Sequence, residues 1–233
     1  MPRKTKIVTL RDATYSIHHM DAVTGSTILQ NMQEAICAYT VGFENSVLEF
    51  KWNKRKRQIM LAGWFIHFGK LIEAITAPLY AKGAPKLSDD EYASAESELI
   101  ETTINSFLEG VTVAGEQVNM CEHFEGKHDV LASLLVYVFI HNFLAVYTKK
   151  RFETPENYDS GVTKPLSVER QEVTYSQSAL VYTVLQAKAA SYYELQTFFN
   201  TEEIYNLYEN VCRECFEQNE YQKQAQKEAE QKR

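Results

Sequence analysis

The chain has 233 residues, 45% hydrophobic and 24% charged, which is enough apolar material for one large core and rules out global disorder. Its formal charge of -7 argues against a dedicated nucleic-acid binder, because such proteins carry a basic excess. With 14 Tyr and 12 Phe, it is rich in rings that suit surfaces half apolar and half wet.

The basic opening Met1–Lys6 is followed by an apolar run, Ile7 to Leu10, too short for the core of a secretory signal. Lys6–Leu10 and Thr14–Met20 read as two strands joined by a turn at Arg11-Asp12, with Tyr15, Ile17 and His19 on one face. Asp21 is a suitable N-cap for a helix over residues 22–40, with Ile28, Leu29, Met32, Ile36 and Tyr39 at helical spacing and Gly42 placed to close it. The run Lys51-Trp52-Asn53-Lys54-Arg55-Lys56-Arg57 is the one concentrated basic patch. It fits either an acidic or nucleic-acid partner or a solvated helix start, although cations there oppose the helix dipole.

Residues 53–81 carry a second long helical pattern that Pro78 ends or kinks. Ser88 and Glu91 have the spacing of a capping box, opening a helix that runs to about Leu108 before Gly110. Val111 to Phe124 is irregular or a short hairpin around Gly115. The apolar stretch from residue 127 to 150 resembles a membrane span in composition, but His141 and Asn142 near its middle favour a buried core helix. Glu153 to Pro165 reads as a linker, so we expect a domain at 1–152, a linker at 153–168 and a C-terminal helical segment with a polar tail at 169–233. That segment should hold a helix at about 170–188, a short one capped by Ser191 and Glu194, and a long one capped by Asn200 or Thr201. The expected fold class is mainly α with a small N-terminal β-hairpin (α+β), a helical bundle plus a C-terminal helical appendage.

The pattern carries no nucleophile elbow, Gly-rich phosphate loop or HExxH, so no catalytic, cofactor-binding or metal site is expected and the chain reads as non-enzymatic. Cys212 and Cys215, with Cys121 and His123, have the ligand count for zinc, but Cys212 and Cys215 fall in a helical pattern without turn residues, where cysteine acts as a small apolar group. Four sparse cysteines do not make a disulfide framework and suit a reducing cytoplasm. Tyr192, Tyr193, Phe198, Phe199, Tyr205, Leu207 and Tyr208 offer more apolar area than their elements can bury among themselves. They read either as a partner-binding surface or as rings packed on the helix at 170–188.

Three passages resemble the tail assembly chaperones of long-tailed bacteriophages. These are Thr14–Ala22, a strand entering a helix; His123-Phe124-Glu125-Gly126-Lys127 running into the apolar helix that ends Asn142-Phe143-Leu144; and Ala190–Leu195 through Tyr208-Glu209-Asn210 to Glu217–Tyr221. The family often has an arginine where His18 or His19 stands, and residues 40–110 lie outside the likeness. The last passage is similar to the downstream half of the extended, often frameshift-made form. The resemblance implies a cofactor-free protein of the bacterial host cytoplasm, either monomeric or homo-oligomeric, that neither enters membranes nor binds nucleic acid. Such a protein binds the tape-measure protein, keeps it soluble and recruits tail-tube subunits. A virion structural protein, such as a baseplate or connector component, would share the composition.

Overall fold

A computed structural model describes residues 4–49, 68–84, 86–153 and 178–231. The chain is mainly helical with one small antiparallel sheet, an α+β protein. Strands β1 (Thr5–Leu10) and β2 (Ala13–His18) form the expected hairpin, whose turn holds Arg11 at φ 52°. Tyr15 and Ile17 face inward and are buried, while Ile7 and Thr9 are exposed. The sheet has two further strands, β3 (Val111–Val113) and β4 (Glu116–Gln117), in the order β1-β2-β3-β4. Val111 lies opposite Ile17 and Val113 opposite Tyr15, so the hairpin around Gly115 (φ 88°) extends the N-terminal ribbon. Gly110 is required at this junction: its carbonyl accepts from the His18 amide at 2.8 Å, and a Cβ there would stand 2.9 Å from the His18 carbonyl oxygen.

Helix α1 (Ala22–Glu49) begins where expected, with Asp21 Oδ1 accepting from the amides of Val23 and Thr24 at 2.9 Å. It does not stop at Gly42. It passes through and continues to Glu49, with a kink at Met32 (φ -135°, ψ 26°). Glycine ends a helix only when the chain turns left-handed there; inside one it costs only about 1 kcal/mol. Helix α2 covers residues 68–76 and gives way to a 3-10 turn at Ala77–Tyr80 that contains Pro78. The rest of the long helical pattern, residues 53–67, and the whole basic run Lys51–Arg57 lie outside the described residues. Helix α3 (Asp89–Leu108) opens with the Ser88–Glu91 capping box, and α4 (Met120–His123) is a single turn.

Helix α5 (His128–Thr148) is the centre of the fold. It is long and apolar enough to cross a membrane, and 56% of its most apolar window is buried inside the protein. Leu131, Leu134, Leu135, Phe139 and Phe143 have no exposed surface; they meet Ile17 and Tyr15 from the sheet, Phe107 and Leu108 from α3, Leu29 and Ile36 from α1 and Leu71 from α2. Each such side chain contributes roughly 1.5–3 kcal/mol of burial. The polar residues in the middle of α5 have defined tasks. Asn142 is 4% exposed; its Oδ1 accepts from the Met20 amide and its Nδ2 donates to the Val138 carbonyl, both at 2.8 Å. His141 donates its Nε2 proton to the Lys4 carbonyl at 3.2 Å and meets the His19 ring edge-on at 4.0 Å. Burial holds its imidazole below the usual histidine range, against the opposing pull of the hydrogen bond to the Lys4 carbonyl.

The linker expected at 153–168 lies beyond Glu153 outside the described residues, as does the predicted helix before Ser178. After it come α6 (Ala179–Gln186), α7 (Tyr192–Thr197) and α8 (Thr201–Gln231). These pack on α1, and α8 also reaches α5. They carry a second apolar cluster, in which Val181, Val184, Leu195 and Ile204 close over Ala22. The join is close: Ala22 donates its amide to the Phe199 carbonyl at 3.0 Å, and a Cβ on Gly25 would fall 1.9 Å from Thr201 Oγ1. The fully buried residues of the larger cluster run from Tyr15 to Phe143, all before residue 152.

Two measurements follow from this packing. A chain ending at residue 152 is expected to keep a cooperative thermal transition at a lower midpoint; a non-cooperative or insoluble product shows that α6–α8 complete the core. Gly25→Ala should destabilise by about 1–3 kcal/mol through overpacking. Much of that loss should return in the double variant with Thr201→Ala, read from denaturant midpoints, because Thr201 Oγ1 is buried without a hydrogen-bond partner and its removal costs little.

Candidate partner-binding surface

The aromatic residues singled out in the C-terminal segment sit on a base built by local capping chemistry. Ser178 caps α6, accepting from the Val181 amide at 3.2 Å, and its hydroxyl also meets that of Ser26 of α1 at 3.0 Å in a buried contact. Ser191 and Glu194 close the α7 capping box: the Ser191 amide and hydroxyl donate to Glu194 Oε2 at 2.8 and 2.7 Å. Those bonds, the backbone one first, hold the Glu194 carboxyl below its ordinary range. Of the two candidates for the α8 cap, Asn200 takes the role. Its Oδ1 accepts from the Glu203 amide at 2.9 Å, and its own amide donates to Glu203 Oε2 at 2.8 Å. Thr201 is thereby the first helical residue, with its side chain turned into the Gly25 contact.

These caps fix two turns of chain whose rings point in opposite directions. Phe199, Tyr205 and Leu207 pack against the buried cluster under α6–α8, and Tyr205 touches the larger core as well. Desolvation pushes the Tyr205 hydroxyl up, and the Arg151 guanidinium lies 5.4 Å from its ring centroid. Arg151 also meets Glu209 at 3.6 Å and donates to Asn206 Oδ1 at 3.2 Å, so this side of α8 is fastened to the end of α5. Lys149 and Glu202 form a second ion pair across the same seam.

Tyr193 and Phe198 face solvent at 67% and 50% exposure, their rings edge-on at 6.1 Å; Tyr192 and Tyr208 are exposed to a lesser degree. Tyr182 of α6, which the sequence pattern does not single out, is exposed with them. The signal was present: Val181 and Val184 form the inward stripe of α6, which leaves the intervening Tyr182 outside. Four of the seven predicted positions therefore stand on the surface and three are packed beneath it.

The remaining chemistry of the described residues is quiet. No group of three or more His, Cys, Asp or Glu side chains among them is placed to hold a metal ion. Cys212 and Cys215 lie one turn apart on α8, while Cys121 and His123 belong to α4. The Cys121 thiol is pushed up by its hydrogen bond to Glu101, the opposite of an activated nucleophile. Burial holds His123 below its ordinary range, and its Nε2 lies 3.0 Å from the Tyr15 hydroxyl. A hollow of about 470 Å³ beside β2 is lined by His18, His19, Asp21 and Glu109, but the Asp21 carboxylate is already engaged in capping α1.

The outward and inward rings should separate in a stability measurement. Tyr193→Ala is expected to leave the melting temperature within about 2 °C of the parent, because an exposed ring gives up little burial. Tyr205→Ala should cost about 2–4 kcal/mol as a half-buried aromatic joining two clusters. Searches with the whole chain return no matching protein family, no curated protein and no solved structure at a significant level of similarity.

Proposed function

We propose that this chain is a non-enzymatic partner-binding protein that serves as a phage tail assembly chaperone in the bacterial host cytoplasm. In this reading it covers the apolar helix of a tape-measure protein, keeps it soluble, and recruits tail-tube subunits. The observation that supports it is the group of exposed rings, Tyr192, Tyr193, Phe198 and Tyr208, on a base that the buried cluster and the α7 and α8 caps hold rigid. Rings held this way lose little conformational entropy on contact. They offer apolar faces to a partner helix and, in tyrosine, a hydroxyl that tolerates water before the partner arrives. The mechanism is stoichiometric: an apolar stripe of the partner is buried, then released when a stronger contact replaces it. No cofactor or turnover is involved.

The test is capture of partners from cells making the tail proteins, read by mass spectrometry. Tyr193→Ala and Phe198→Ala should each reduce recovery of tape-measure or tube protein by about tenfold or more while the melting temperature holds. Undiminished capture by both variants removes this surface from the proposal. If the full-length protein is instead retained in purified particles, the virion structural reading takes its place.

A further inference from the structure

We propose that β1 is a self-association edge through which two copies of this chain join their sheets antiparallel, about a two-fold axis at Ile7. The argument begins with the sheet order. β1 is the outer strand and pairs only with β2 among the described residues. The two-residue turn at Arg11-Asp12 makes Leu10 and Ala13 a hydrogen-bonded pair, so within the ribbon Leu10, Val8 and Lys6 exchange bonds with β2. The same phase continues beyond the strand, where the Lys4 carbonyl accepts from the His19 amide at 3.2 Å. The amides and carbonyls of Thr5, Ile7 and Thr9 therefore point away from β2.

Those three residues are also the exposed ones, with Ile7 at 70%, the second most exposed large apolar side chain described. The row is ordered: the Thr9 hydroxyl meets that of Thr14 at 3.1 Å and the Thr5 hydroxyl meets His18 Nδ1 at 2.9 Å. A β-branched row with free backbone groups beneath it is the surface that invites another strand.

Its own symmetry identifies the occupant. With the axis at Ile7, Ile7 faces Ile7 of the second copy, Thr5 faces Thr9 in both directions, and all three residues bond through both backbone groups. On the other face Lys6 meets Val8 and Lys4 meets Leu10, so no like charges stand opposite. Sliding by two residues toward the N-terminus sets Lys6 against Lys6, and sliding either way takes one of the three residues out of the shared ladder. Lys6 is held aside in any case, its Nζ 5.3 Å from the Tyr137 ring centroid. Two four-stranded sheets then become one of eight, joined by a self-complementary contact, the commonest symmetry of soluble oligomers.

The test is sedimentation of the full-length protein across a concentration series. The parent chain should show a reversible monomer–dimer equilibrium. Ile7→Pro removes only an outward amide and so spares the β1–β2 bonds; it should raise the dissociation constant about tenfold or more with little change in melting temperature. Ile7→Lys provides the same reading should the proline variant fail to fold. Across the proposed axis the two Cα atoms would stand about 5.5 Å apart, within reach of a disulfide. Ile7→Cys should therefore yield, on mild oxidation, a linked dimer whose cross-linked peptide contains residue 7 from both copies. A parent chain that stays monomeric at every concentration overturns the proposal, whether or not the edge accepts an unrelated extended peptide. A dimer that Ile7→Pro and Ile7→Lys leave intact also overturns it.

Discussion

The contact between the first turn of α1 and the start of α8 is the constraint on which the two parts of the fold depend. Gly25 has no side chain, so Thr201 can lie on the backbone of α1 at a distance no other residue would allow. Beside it the Ala22 amide reaches the Phe199 carbonyl, and Asp21 and Asn200 form an isolated bridge. Each flanking residue also caps a helix, Asp21 opening α1 and Asn200 opening α8. One small area therefore fixes where both helices begin and how they cross. Everything downstream, including the direction in which the rings of α7 and α8 face, inherits that geometry.

A second organising feature is the way α5 tolerates polar residues. Asn142 in an otherwise apolar helix would be costly if unmatched, since a buried amide without partners loses several kcal/mol relative to water. Here both ends of the amide are used, one on α5 itself and one on the link from β2 to α1. The residue that argues against a membrane span is thus the one that ties the sheet to the bundle. His141 plays a parallel part by holding the Lys4 carbonyl just ahead of β1.

Much of the local structure was legible because it is encoded locally. The Ser88–Glu91 and Ser191–Glu194 boxes, the Asp21 cap and the alternation of Tyr15 and Ile17 each depend on residues a few positions apart. What the sequence did not disclose depends on distant partners. The short hairpin around Gly115 is one of two readings of Val111 to Phe124, but its pairing with β2, which joins it to the N-terminal ribbon, was not legible. Gly42 had the look of a stop, yet α1 continues through it. In the candidate surface, Phe198 and Phe199 are neighbours of identical chemistry, and one is exposed while the other is packed. That division is set by the turn between α7 and α8 and by the cluster beneath, neither of which composition records.

The order of synthesis gives α5 a further significance. The ribosome completes this helix about 50 residues before Ile204 and the start of α8 are made. At ordinary elongation rates that interval lasts roughly 3–11 s. During it, the face of α1 and α5 that α8 later covers is open to water and to other nascent chains. The larger cluster can begin to close first, because its fully buried residues are all synthesised before α8. The strip around Ala22 and Gly25 must wait. Such a chain is most exposed to aggregation late in its own translation, and a holdase acting on nascent chains would find its best purchase there.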